Sequence, residues 1–329
     1  VYARNFTDID DRIIAAHKET GEPISAITQR YAEIYRADMG GLGILRPTHE
    51  PRATAHIPGM QALISTLIEN GHAYVAEGHV LFDVNTFEAY GRLSKLDRDA
   101  IIEGARVEVA PYKKNAADFV LWKPSTDDEP GWEVPEGWGF AGRGRPGWHL
   151  ECSAMIRDVF ELDVIDIHGG GLDLRFPHHE NEIAQSCCSA DFGPGDCDVP
   201  LARVWLHNGF LTMGEDKMSK SLGNIVLPND LLKEWDGEVI RFALLSAHYR
   251  QPLVWTEDLL EQSKRQLDRF YRVLSELPAE GEAGVPEGVL SALADDLNTP
   301  EAIAALHQLR DRAKAEGTGA ARASLLAAG

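Results

Sequence analysis

The sequence predicts an α/β protein built on a parallel sheet and followed by an α-helical C-terminal region. Two short buried-strand patterns, Val164-Ile165-Asp166-Ile167 and Ala202-Arg203-Val204-Trp205-Leu206, lie among helical segments. Strands and helices in alternation favour parallel pairing, with ligands expected at the carboxyl ends of the strands. Beyond Asn224 the pattern turns wholly helical. From about 75 to 145, short strands mix with turns and end in a Pro/Gly-rich run, Glu129 to Gly147, that cannot form regular helix; this stretch reads as an insertion.

The elements follow in order. Asn5-Phe6-Thr7 closes a strand, and Thr7 with Asp10 has capping-box spacing for the helix that follows. Asp8, Asp10 and Asp11 could suggest a metal, but they fall at the positive end of that helix, and dipole complementarity is the reading preferred for them. A helix is predicted over Met60 to Gly71. Ala73-Tyr74-Val75 and Val80-Leu81-Phe82 predict a hairpin around Glu77-Gly78. His168-Gly169-Gly170-Gly171 then reads as a loop. Asp236 is placed to cap a helix over Glu238 to Ala247. Thr256 is placed to cap a long amphipathic helix carrying Leu260, Leu267, Phe270, Leu274 and Leu277, stopped by Pro278. Lys264, Arg265, Arg269 and Arg272 gather on that helix, which fits a solvated face or a local basic patch. Gly281 to Gly288 reads as a linker, and an Ala-rich helical stretch runs on from about Leu290.

With 329 residues, 44% of them hydrophobic, the chain can bury two or three cores. No stretch approaches the roughly 20 apolar residues of a membrane span, and no basic-then-apolar leader opens the chain, so a cytoplasmic protein free of the membrane is expected. A monomer is expected. Four cysteines are too few for a disulfide framework and are expected to be reduced. A formal charge of -20 excludes a surface that is wholly a nucleic-acid footprint, while leaving room for a local one. Because Val1 is followed at once by what reads as a strand end, a chain that begins inside a domain is expected.

Two constellations carry chemistry. In Asp216-Lys217-Met218-Ser219-Lys220-Ser221-Leu222-Gly223-Asn224, two lysines stand three residues apart among small polar groups. Such compact, mobile cations can follow negative charge as pyrophosphate departs, although a lone Lys-x-x-Lys pair also fits two solvated charges. In Pro177-His178-His179-Glu180-Asn181-Glu182, His178 and Glu182 are four apart and share a helical face. That spacing fits a surface pair as well as an ion grip. Cys152 offers a thiolate from another segment, or a small buried apolar group. Sulfur, imidazole and carboxylate together are a zinc-like set that leaves one coordination position open. A substrate thiol bound there would lose its proton, whereas a serine hydroxyl would bind poorly. Size alone separates such near-isosteres by only about 10- to 200-fold.

The strings NFTDIDDRII, RPGWHLECSAM, DIHGGGLDLRFPHHENEIAQS and KMSKSLGN resemble the cysteinyl-tRNA synthetase family, in its order and over essentially the whole chain. KMSKS is the second signature of class I aminoacyl-tRNA synthetases. The resemblance implies a Rossmann-type catalytic domain (residues 1-74 and 146-225) interrupted by a connective insertion (75-145). A stem-contact region (226-279) and a helical tRNA-binding domain (from 289) would follow. It implies zinc on Cys152, His178 and Glu182, and ATP, with magnesium, touched by Lys217 and Lys220 as catalytic residues. It places Thr7, Trp148, His168 and Asp173 around cysteine and its adenylate, and Gly169 and Gly170 where backbone approaches the nucleotide. The implied partners are cysteine, ATP and tRNA(Cys). The family's first signature, His-x-Gly-His, is absent, together with the nearby cysteine that supplies a further zinc ligand. His56-Ile57-Pro58-Gly59 lacks the second histidine and follows the TDIDD segment instead of preceding it. Both absences fit a late start and a poor enzyme in this form. A mycothiol-pathway cysteine ligase, a zinc hydrolase and a non-catalytic binding module are the competing expectations.

Overall fold

A computed structural model of the chain describes residues 1-97, 101, 110-189, 201-214, 216-217 (backbone), 225-279 and 281-328. These divide into two compact units. The first comprises Val1–Tyr35 and Arg46–Leu206, the second Arg36–Leu45 and His207–Gly329.

In the first unit, helix α1 (Asp11–Thr20) is capped by Asp10, whose carboxylate accepts from the amides of Arg12 and Ile13 at 2.8 and 2.9 Å. The cap is therefore Asp10 and not Thr7, whose hydroxyl donates instead to Glu151 at 3.1 Å. After α2 (Ile24–Gly41), helix α3 (Ile57–Glu69) starts three residues earlier than its apolar spacing suggested, because Pro58 suits a first turn, where no amide donor is needed. Its Met60, Ile64 and Leu67 are fully buried against Phe82, Trp122 and Leu150.

The hairpin forms as its turn chemistry requires. Strands β1 (Ala73–Ala76) and β2 (His79–Phe82) pair antiparallel, and Glu77 and Gly78 both take positive φ, 48° and 75°. With β3 (Phe119–Pro124), β4 (Trp132–Glu133) and β5 (Arg143–Pro146) they make a five-stranded sheet of order β1-β2-β3-β5-β4. Every pairing in it is antiparallel. This sheet, the largest among the described residues, falls almost wholly in the stretch read as an insertion (75-145), outside the segments from which a parallel sheet was expected. The links between β1 and β2 and between β4 and β5 are too short for a crossover, and only antiparallel strands can be joined that way. Parallel bridges do tie Ala3 to His49 and Phe6 to Arg52.

Helix α4 (Trp148–Phe160) follows β5 directly. Then come β6 (Ile165–Gly171), helix α5 (Glu180–Ser189) and β7 (Ala202–Asn208), which pairs with β6. The glycines expected to form a loop are in fact the end of a strand, since an extended backbone places no demand on side chains. Cys187 is disulfide-bonded, against the expectation of reduced thiols, while Cys152 and Cys188 are free. Composition carries no information on the distance between two sulfurs.

In the second unit, β8 (Leu211–Met213) pairs antiparallel with β9 (Asp216–Lys217) and parallel with β10 (Leu253–Val254). The short helix α6 (Pro228–Leu231) precedes α7 (Gly237–Leu245), which starts after Asp236 without a side-chain capping bond. Helix α8 (Glu257–Glu276) is capped by Thr256, whose hydroxyl accepts from the Leu259 amide at 3.1 Å. Its Lys264 and Arg265 pair with Asp268 and Glu261 one turn away, as a solvated face does. Leu260 closes a core with Val239, Ile240 and Trp255. Phe270 and Val273 close another with Leu309 and Ala313 of α10 (Thr299–Glu316) and Leu325 of α11 (Gly319–Ala328); α9 (Glu287–Ala294) packs beside them. The C-terminal region is helical as expected, and no described helix is long and apolar enough to cross a membrane.

Candidate metal and substrate site

The three predicted ligands come from three elements of the first unit. Cys152 lies on α4; His178 sits in the kinked turn Arg175–His179 and Glu182 in the first turn of α5. Packing of α4 on α5 brings the sulfur, one imidazole nitrogen and one carboxylate oxygen within 4.8 Å of one another. His168, His179 and Glu182 form a second such group under the same criterion, so Glu182 stands at the junction of both.

Glu182 is 0% exposed, a position a carboxylate does not occupy without compensation. Nε2 of His168 and Nε2 of His178 each lie 2.7 Å from one of its oxygens. Yet neither oxygen, nor His168 Nε2, makes an aligned hydrogen bond. Buried polar atoms that converge without bonding one another fit a cation that binds their lone pairs. Burial pushes the Glu182 carboxyl up, but the imidazoles of His168 and His178 reverse this and hold it well below the usual carboxylate range. Burial and then the charge of Glu182 push the Cys152 thiol up. A cation among these groups would reverse that by taking the thiolate as ligand.

A further residue orients the group. His149 Nδ1 lies 2.9 Å from His178 Nδ1. Burial, then His178, hold His149 down to about 3, so it is neutral. When His178 donates the proton in this pair, its Nε2 presents a lone pair towards Glu182, the state a metal ligand requires. Trp148 is 50% exposed and lays its ring on His178 at a centroid distance of 4.4 Å; it is not a core aromatic. Thr7 is bonded to the buried Glu151, whose carboxyl burial raises to about 8. His168 packs edge-on against Trp205 at 4.9 Å. Gly170 lies where a Cβ would meet His179 and Leu174 at 3.0 Å, whereas Gly169 has room to spare. Asp173 is exposed, in the turn Leu172–Leu174.

The structure thus gathers Cys152, His178, Glu182, His168 and Trp148 in one place. For Lys217 only the backbone is described, paired with Thr212; Lys220 lies outside the described residues. Sequence reasoning missed His149, His179, Glu151 and Trp205. His149 had a signal: it stands three residues before Cys152, hence on the same helical face. A cavity of about 420 Å³ opens beside the start of α4, lined there by Trp148, His149 and Glu151.

Comparison with known proteins matches residues 1–265 to the family described as tRNA synthetases class I (C) catalytic domain, and residues 288–328 to the DALR domain. A cysteine--tRNA ligase of Maricaulis maris (strain MCS10) is 60% identical over 316 residues, 95% of this chain and 66% of its own length. That of Parvibaculum lavamentivorans (strain DS-1 / DSM 13023 / NCIMB 13966) is 58% identical over 332 residues, 100% of this chain and 68% of its own. The chain therefore spans about two thirds of the length of these relatives. Among solved structures, Mycobacterium tuberculosis methionyl-tRNA synthetase bound by methionyl-adenylate has a TM-score of 0.58 at 15% identity, covering 99% of this chain and 80% of that one, a likeness of fold. With the family description matched over four fifths of its length, and relatives this similar, the chain belongs to the class I (C) tRNA synthetases.

Proposed function

We propose that the protein is a cysteine--tRNA ligase, acting in the cytoplasm as a monomer, which activates cysteine with ATP and esterifies it to tRNA(Cys). The observation that carries this reading is the convergence of Cys152, His178 and Glu182 within 4.8 Å in a buried site. Zinc held there would supply an open coordination position that favours a substrate thiolate over a hydroxyl. The protein's own residues do the rest. His149 fixes the ring of His178, Trp148 walls the pocket, and Thr7, His168 and Asp173 surround cysteine and its adenylate. The first unit, with residues 75-145 as its connective insertion, is read as a Rossmann-type nucleotide-binding domain. Gly169 and Gly170 then let backbone approach ATP. Lys217 and Lys220 neutralise the triphosphate, which carries magnesium. A cysteine carboxylate oxygen attacks the α-phosphorus and pyrophosphate leaves. A ribose hydroxyl of the tRNA then attacks the carbonyl carbon, AMP leaves, and the hydroxyl proton is released.

The test is cysteine-dependent exchange between ATP and pyrophosphate in the full-length protein, with serine as control. Exchange with cysteine and none with serine is expected. No exchange, or transfer of cysteine to an amino sugar but not to tRNA, would overturn the assignment.

A further inference from the structure

We infer that Asp296 is a positioning residue for the lysine loop, acting through Tyr249 and Arg250 on the backbone ladder that ends at Lys217. The inference rests on the function proposed above, in which Lys217 meets the triphosphate, and names a distant residue on which the strand carrying Lys217 depends. All the residues involved belong to the second unit.

A strained turn is the starting point. Between α9 and α10, Asp296 and Leu297 both take positive φ, 53° and 55°. Left-handed backbone is costly for any residue with a Cβ, so two in succession persist only where surrounding contacts over-determine them. Asn298 caps α10 by accepting from the Glu301 amide at 3.2 Å, which closes one side of the turn. The Asp296 carboxylate faces elsewhere. It accepts from Nε and Nη2 of Arg250 at 2.6 and 3.0 Å and from the hydroxyl of Tyr249 at 2.7 Å. Glycine would serve this turn with no strain at all, so the turn itself does not call for a carboxylate. The three converging donors do, and the paired guanidinium contact makes the clamp stronger than an isolated surface ion pair.

Tyr249 and Arg250 lie in the connection between α7 and β10, and that connection is bonded on its other side to the stretch entering β8. The Gly209 amide donates to the Tyr249 carbonyl at 2.7 Å. A Cβ on Gly209 would stand 2.4 Å from the Gln251 carbonyl oxygen, so the two backbones are in direct contact. The ladder continues from the Leu253 amide to the Phe210 carbonyl at 2.9 Å and from the Trp255 amide to the Thr212 carbonyl at 2.8 Å. Thr212 in turn is paired with Lys217. Strands β8 and β9 are three and two residues long, and a two-stranded ribbon of that size is not stable alone in water. Strand β9 therefore depends on β10 holding β8, and Asp296 clamps the segment that leads into β10. Lys217 meets charge that develops as pyrophosphate leaves, so a poorly held β9 should lower kcat more than it raises any KM.

The test compares Asp296→Gly and Arg250→Ala with the unmodified full-length protein. Glycine removes the carboxylate and relieves the positive φ together, so Asp296→Gly should keep thermal unfolding within about 4 °C. In exchange of pyrophosphate with ATP, kcat should fall roughly fivefold in each variant while the KM for cysteine stays within about twofold. The double variant should fall no further than either single one, because both break the same clamp. Deuterium uptake over residues 209–217 should rise in both. Either an unchanged kcat or an unchanged uptake in Asp296→Gly would overturn the inference, and so would additive losses. A large drop in thermal unfolding of Asp296→Gly, with uptake raised across the whole second unit, would overturn it as well, since Asp296 would then serve the fold alone. Absence of exchange in the unmodified protein would sink the functional reading, and deuterium uptake would still decide whether the clamp holds β9.

Discussion

At the scale of single residues, Glu182 decides most. A buried carboxylate whose two oxygens each lie 2.7 Å from an imidazole nitrogen without an aligned hydrogen bond is poised for a cation. In the full-length protein, Cys152→Ser and Glu182→Gln should each reduce bound zinc, after dialysis, from near one equivalent per chain to less than about a tenth, as read by elemental analysis. His149 touches the site only through His178, so its loss should be milder. His149→Ala should weaken zinc binding by about 10- to 100-fold, measured by competition with a chelating indicator. A loss as complete as that of Cys152→Ser would instead make His149 a ligand.

At the scale of elements, side chains that close local bonds and side chains that fill cores are separable. Thr256 accepts the Leu259 amide at the start of α8. Thr256→Ala should cost about 1 kcal/mol in urea unfolding, the usual worth of an N-cap. Ile64 of α3 is fully buried in the main core of the first unit. Ile64→Ala should cost about 2 to 5 kcal/mol, because the cavity it leaves is walled by Phe82, Trp122 and their neighbours. An equal effect of the two substitutions would contradict this division. These elements were legible to different degrees. Glu77-Gly78 and Thr256 announced a turn and a cap because their chemistry is local. Asp10 displaced Thr7 as cap because Thr7 is engaged by Glu151, far away in sequence.

For the molecule as a whole, two compact units with separate cores imply separable stability. The candidate metal group lies entirely in the first. In scanning calorimetry, removal of metal by a chelator should lower the transition of the first unit and leave that of the second in place. A single transition that shifts as one would refute independent units.

The sequence by itself determined the chemistry: which residues offer sulfur, imidazole and carboxylate, which loop carries paired lysines, and where the Thr256 cap and the Glu77-Gly78 turn fall. Each of these depends on residue type and spacings of a few positions. Only the tertiary structure decided that Cys152 meets His178 and Glu182, that His149 orients the group, and that the largest described sheet is antiparallel. Those facts depend on which helices and strands pack together, and contacts between residues far apart in the chain leave no periodic trace in it.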